Sequence, residues 1–314
     1  MRRSMPSTRV LLWIVAALAL LALPPFVLAI GQPYYIDLVR RIMILSIAAA
    51  SLNLILGYGG LVSFGHAAYL GVGAYAVGIL GFYGFTSGSL HLAVAVAASA
   101  AVALAIGAVS VRTTGIYFIM ITLAFSQMLY YLGISIEEFG GDDGMRIKVT
   151  SQFPLVDLAN PVVFYYVALV LMLLSVYLVS KIVNSRFGMA LRAARSNEAR
   201  TRAIGFSPYP YRLVAFVIAG AMCGLAGMLY ANHTRYITPD LASWQQSGDL
   251  MFMVILGGMA TTAGPVLGAF VLLLLEDLLS AWTQHWQVIL GPLLILSVIF
   301  FRRGLAGIFY KADA

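Results

Sequence analysis

The sequence predicts an all-α polytopic membrane protein of about ten crossings, within a range of about eight to ten, and three observations predict it. Hydrophobic residues make up 61% of the 314 residues and charged ones 10%, with a mean hydropathy of +0.94, far from soluble globular usage. The apolar residues come in runs long enough for a bilayer, which a helix crosses with about 20 residues. The net charge is +7, and a local balance of +6 sits within 181–212, where seven Lys/Arg face the single acid Glu198. Basic residues at the ends of apolar spans follow from topology and lipid headgroups, so a pI near 9.5 needs no nucleic-acid partner.

The first apolar run, Val10–Ile30, follows the basic segment Met1–Arg9, and Val27-Leu28-Ala29 loosely resembles a signal-cleavage site. The run is longer than the apolar stretch of a secretory signal, so a retained first helix is expected. Leu38–Leu56, Leu61–Phe85, Leu90–Val111, Ile116–Ile136, Val162–Val183 and Leu213–Ala231 supply the next crossings. From Leu250 to Phe301 the run is interrupted by Gly257, Gly258, Gly264, Pro265, Glu276, Asp277, Gly291 and Pro292, and it divides into three shorter crossings. A re-entrant piece there lowers the count.

Charge asymmetry orients this series. With Arg2, Arg3 and Arg9 in the cytoplasm, the loop 184–212 and the terminal Arg302, Arg303 and Lys311 also fall inside, so both termini are cytoplasmic. The segment 136–160 then falls outside, with five acids against Arg146 and Lys148, as does Asn232–Gly248. Arg40 and Arg41 are the exception near the outer end of the second span, where snorkelling or an interfacial helix accommodates them.

Two glycine-dense segments stand out. The first carries Gly57, Gly59, Gly60, Gly65, Gly71 and Gly73, too many for an unbroken regular helix. Irregular backbone at membrane depth is tolerated only when buried in protein or lining a wet cavity. Asn53, Ser63 and His66 lie here, so the segment is a candidate lining of a translocation path, with tight helix packing as the competing explanation. The second runs Gly257-Gly258-Met-Ala-Thr261-Thr262-Ala-Gly264-Pro265 and echoes the first, which points to an internal repeat with broken helices and adds Thr261 and Thr262 to the candidate lining. Gly220, Gly224 and Gly227 mark a helix-packing face.

Several chemistries lack their residues. No phosphate-binding loop occurs, so ATP hydrolysis belongs elsewhere. Ser63 and His66 lie three apart without an orienting acid, weak support for a membrane hydrolase. His66, His91, His233 and His285 show no metal-ligand spacing, and the lone Cys223 excludes an intramolecular disulfide, so neither metal nor cofactor is expected. Asp249 falls at the start of a span and Glu276 and Asp277 near an end, leaving no acid mid-span for ion coupling.

Within the basic loop, Arg186–Ala203 can form one amphipathic helix, stopped by Gly205 and followed by Pro208 and Pro210. Contact with anionic lipid accounts for its composition. Here the chain resembles a known family. Ser185-Arg-Phe-Gly-Met-Ala-Leu-Arg-Ala-Ala-Arg-Ser-Asn-Glu-Ala-Arg, with Leu52-Asn-Leu-Ile-Leu-Gly-Tyr-Gly-Gly, Arg112-Thr-Thr-Gly and Ile255-Leu-Gly-Gly-Met-Ala-Thr-Thr-Ala-Gly-Pro, is similar to permease subunits of ABC importers of the branched-chain amino-acid type, most of all the M-type. The resemblance runs in order from about residue 36 to 305.

That resemblance implies a single permease domain over 1–314 in a bacterial inner membrane, with 184–212 as its cytoplasmic coupling loop. Phe187, Gly188, Leu191, Arg195, Glu198, Ala199 and Gly205 would form the contact with an ATPase subunit; Arg200 stands where the family pattern has a second alanine. It also implies a second homologous permease subunit, and a periplasmic or lipid-anchored binding protein delivering branched-chain or other neutral amino acids. A urea or short-amide importer permease shares the architecture. An ion-coupled carrier is the alternative from a different class.

Overall fold

The computed structural model describes residues 20–29, 31–154, 156–300 and 304–309. The basic N-terminal segment, most of the first run and Arg302, Arg303 and Lys311 lie outside the described residues. Ten helices follow the expected series among the described residues: α1 (Leu20–Ala29), α2 (Tyr34–Asn53, prolonged by a π-turn at Leu54–Tyr58), α3 (Ala67–Phe82), α4 (Gly88–Ser110), α5 (Ile116–Ser135), α6 (Pro161–Val183), α9 (Pro208–Thr234), α10 (Trp244–Gly257), α11 (Gly264–Trp282) and α12 (Trp286–Phe300); of these, α2, α4, α5, α6, α9 and α11 are long and apolar enough to cross a membrane. Between α6 and α9 lie the short α7 (Arg186–Ser196) and α8 (Glu198–Ala203); α13 (Ala306–Phe309) ends the described chain. This is an all-α polytopic fold.

Local chemistry sets the boundaries. Asn160 caps α6, its side chain accepting from Val162 N at 3.0 Å with Pro161 at the first helical position. Pro208 opens α9, and Arg235 closes it in the left-handed region at φ 54°.

Helix α2 is the spine, with 94% of its most apolar window buried, whereas the same measure for α5 is 17% and leaves that helix to lipid or another subunit. Around α2 pack α6, α9, α10 and α11. Glycines of α9 allow the closest contacts: at Gly220, Gly224 and Gly227 an added Cβ would strike Ala103, Ser99 and the Leu70 carbonyl, in α4 and α3.

Long-range contacts define two faces. Met145 and Ile237 close over Gly78 near the end of α3, and their short strands β1 (Met145–Arg146) and β2 (Tyr236–Ile237) pair antiparallel, so the acidic segment 136–160 caps one face. Asn232 Oδ1 accepts from Ser151 N at 2.8 Å and pins that cap to α9. At the opposite, basic face the end of α2 meets α7 and the turn between α10 and α11. Leu305 N donates to Leu256 O at 2.9 Å, returning the chain after α12 to this same face.

The halves repeat with inverted direction. In the first, α2 of 25 residues with its π-turn reaches the basic face, residues 59–66 turn back into the bundle, and the 16-residue α3 continues to the acidic face. In the second, the 27-residue α9 reaches the acidic face, residues 235–243 turn back inward, and the 14-residue α10 continues to the basic face. Helices α4 and α5 follow as α11 and α12 do; α9 packs on α3 and α4 as α2 packs on α10 and α11. This is a pseudo-two-fold axis in the membrane plane.

Four expectations are corrected. The counterpart of the break after Gly57 is 235–243; the Gly257–Gly264 segment is instead the turn that packs against Asn53 and Gly57. Asn232–Gly248 is not an outer loop: Ser126, midway along α5, donates to Ala242 O at 2.7 Å, so the chain has re-entered to mid-height. Asp249, five residues into α10, therefore lies at membrane depth, contrary to the expectation of no acid there. Arg40 and Arg41 neither snorkel nor lie on an interfacial helix, because α2 carries them into the bundle, where they pair with Asp37 and with Glu276.

Gly227→Leu is expected to destabilise the detergent-solubilised protein by about 3 kcal/mol through overpacking against α3. Gly248→Ala, in open space within α10, should keep or slightly raise the unfolding midpoint. Equal midpoints for the two variants would contradict the close approach of α9 and α3.

Candidate functional site: the basic-face loop and the helix breaks

The loop folds as two helices where the sequence suggests one. Asn197 adopts φ −160°, ψ 104°, and its Oδ1 accepts from Arg200 N at 2.9 Å, ending α7 and starting α8. An asparagine prefers this cap to a helix interior because its amide competes for backbone bonds. Gly205 stops the pair at φ +89°, as expected.

The predicted contact residues divide by direction. Leu191 is fully buried, Gly188 packs against the carbonyls of Ile182 and Val183, and Phe187 packs at a tilt against Tyr211 with ring centroids 5.6 Å apart. The guanidinium of Arg195 donates to the Gly57 carbonyl, tying α7 to the end of α2. Gly60 is required there: its φ is +71°, and an added Cβ would come within 2.8 Å of the Arg195 side chain. Glu198 also turns inward, accepting from Arg212 Nη1 at 2.9 Å and from Arg202 at 2.5 Å, while Arg212 Nη2 donates to Ala194 O at 3.2 Å. Ala199 and Gly205 are exposed. Beside them Ile204 is 65% exposed and Phe206 45%, an apolar tip that sequence reasoning passed over because it reads as the tail of a breaker segment.

Burial alone would raise the Glu198 carboxyl, but Arg212 and then Arg202 outweigh it and hold it below the usual carboxylate range. The stabilisation this gives is complete above the ordinary glutamate value and is lost as pH falls through the depressed one. A cleft of about 350 Å³ lined by Arg112, Arg202, Arg212 and Glu198 opens beside this pair.

The other candidates converge on the helix breaks. Asn53 is fully buried; its Nδ2 donates to Thr261 O at 2.8 Å and its Oδ1 accepts from Ala260 N at 3.1 Å. Thr261 Oγ1 donates to Gly258 O at 2.8 Å and accepts from Gly264 N at 3.1 Å, Gly258 turns at φ +117°, and Pro265 lies in the first turn of α11. Gly57, Gly257 and Gly264 let these backbones touch, and Thr262 is half-buried in the same turn. Gly65 lies against the Thr122 carbonyl and Gly71 against Ala242. Ser63 Oγ accepts from Gly65 N at 3.3 Å, whereas His66 Nε2 bonds Ser51 Oγ at 2.8 Å. Ser63 and His66 are thus not brought together as a hydrolytic pair.

A polytopic inverted repeat with broken helices and a short helical pair anchored on one face defines a transport permease. The chain belongs to the family described as branched-chain amino acid transport system / permease component, whose model matches residues 34–298. It is 28% identical over 318 residues to the high-affinity branched-chain amino acid transport system permease protein LivM of Escherichia coli (strain K12), covering 94% of this chain and 74% of that one. The LivM of Salmonella typhimurium (strain LT2) is similar to the same extent. The autoinducer 2 import system permease protein LsrC of Yersinia enterocolitica is 27% identical over 159 residues, 47% of this chain and 43% of its own. No solved structure matches.

Glu198→Gln is expected to lower hydrogen-exchange protection of the α8 amides at neutral pH. In the unsubstituted protein that protection should stay level as pH falls to about 4.5, the ordinary value, and drop below it. A profile indifferent to the substitution would contradict the anchoring by Arg212.

Proposed function

We propose that the protein is the pore-forming permease subunit of an ATP-driven importer of branched-chain or other neutral amino acids. Hydrolysis occurs on separate ATPase subunits, a second homologous permease completes the pore, and an external binding protein delivers the substrate. The basic face is cytoplasmic and both termini lie on that side of a bacterial inner membrane, in keeping with the positive-inside bias.

The observation that carries this reading is the construction of α7 and α8. The pair is rigidly rooted, through Arg195 to the end of α2 and through Glu198 and Arg212 to α9, yet it holds out an apolar tip at Ile204 and Phe206. A lipid-binding helix needs no such roots. A lever does, because force applied at the tip must reach the spine of the bundle before it can bias two packed arrangements of the helices. Amino acids are preferred as cargo over autoinducer 2 because the LivM relatives match along 94% of the chain and LsrC along less than half.

Ile204→Asp should abolish co-purification of the ATPase subunits while the permease still inserts and purifies at wild-type yield. The wild-type complex in proteoliposomes should accumulate L-leucine with ATP after ion gradients are collapsed and stop when ATP is withheld. Retained co-purification would sink the docking role, and uptake that follows an ion gradient would favour the carrier.

A further inference from the structure

Asp249 has no role in the loop or the helix breaks just described, and its position is costly. Helix α10 starts at mid-height, where Ser247 Oγ accepts from Ala67 N at 3.0 Å, so Asp249 lies well within the span. Ionisable groups at that depth face protein or a watery cavity and mark substrate or ion pathways. Asp249 lines a cavity of about 600 Å³ between α2, α10, α11 and α12, shared with Arg41, Glu276, Gln246 and Gln287. This lies within the size range of small-molecule sites.

Arg41 Nη2 and Glu276 Oε1 stand 3.5 Å apart, and apart from these two and Asp249 no charged side chain among the described residues lines the cavity. The lining thus carries one positive and two negative groups, and Asp249 is the carboxylate left over. Arg41 Nε is buried and donates to no group among the described residues. The remaining wall is apolar and includes Phe252 and Leu290. An acid in excess, a guanidinium with an unused donor and an adjoining apolar wall match a small molecule bearing an ammonium, a carboxylate and a hydrocarbon side chain.

We propose that this cavity is a membrane-depth binding site for a zwitterionic amino acid on its way through the permease. The ammonium sits on Asp249, the carboxylate turns to Arg41, and the side chain lies along Phe252 and Leu290. The inference rests on the reading of the chain as a neutral amino-acid permease and adds that selection also operates inside the membrane. An uncharged amide has no group for Asp249, so the site discriminates against urea-like cargo.

The test uses the full complex in proteoliposomes with its binding protein and ATPases. Asp249→Asn should lower ATP-dependent L-leucine uptake at least tenfold, Asp249→Glu should recover part of it, and Asp157→Asn in the outer loop should transport as wild type. Wild-type uptake in Asp249→Asn overturns the site alone; absence of L-leucine uptake by the unsubstituted complex overturns the cargo reading beneath it. Should Asp249→Asn fail to assemble, Gln246→Cys decides. Cys223 is fully buried, so labelling of the new thiol by a water-soluble methanethiosulfonate is read over a silent background. Labelling slowed several-fold by L-leucine but not by acetamide supports the site. A thiol that is inert, as beneath lipid, or labelled regardless of L-leucine, overturns it.

Discussion

A helix interrupted inside a bilayer exposes N–H and C=O groups to a medium that cannot bond them, and this fold is organised around two such interruptions. One half supplies what the other lacks. The first amide of α3, Ala67 N, is met by Ser247 of α10, and the carbonyl of Ala242, before α10, is met by Ser126 of α5. Each short helix is therefore completed by residues far away in sequence. Neither break is stable alone, which makes the halves interdependent rather than separately folding modules.

The same requirement explains the glycines. Where α9 runs against α3 and α4, and where the turn Gly258–Gly264 lies on the end of α2, backbone touches backbone with no space for a Cβ. Bulk is removed so that polar backbone can be enclosed by polar backbone, with Asn53 bridging to Ala260 N and Thr261 O. The rigid end of α2 formed in this way is the part that Arg195 grips. In the proposed coupling, a displacement of the loop acts on this closely packed end of α2, the helix whose most apolar window is 94% buried.

Charge is used differently at the two levels of the molecule. At the basic face it orients the chain and fastens α8, with Arg212 enclosed and compensated by Glu198. Within the span it is scarce, with Arg40 beside Asp37 and His233 and Arg41 beside Glu276. Asp249 stands out because the cavity around it leaves one carboxylate in excess.

The sequence alone determined the all-α membrane class, the helix series and the location of the basic loop, because those depend on runs of apolar or basic side chains along the chain. It also marked Gly205 as a stop and Gly57–Gly73 as a break, since backbone freedom is a local property. Direction and depth were not legible. That Glu198 accepts from Arg212 and that 235–243 descends to mid-height depend on residues brought together from distant positions. Asp249 shows the limit most clearly: a hydropathy window places it at the edge of a span, and only the re-entry of residues 235–243, held by Ser126 and by the pairing of β2 with β1, carries it to membrane depth. Local composition decides what can lie in a bilayer; tertiary hydrogen bonding decides how deep a broken helix begins.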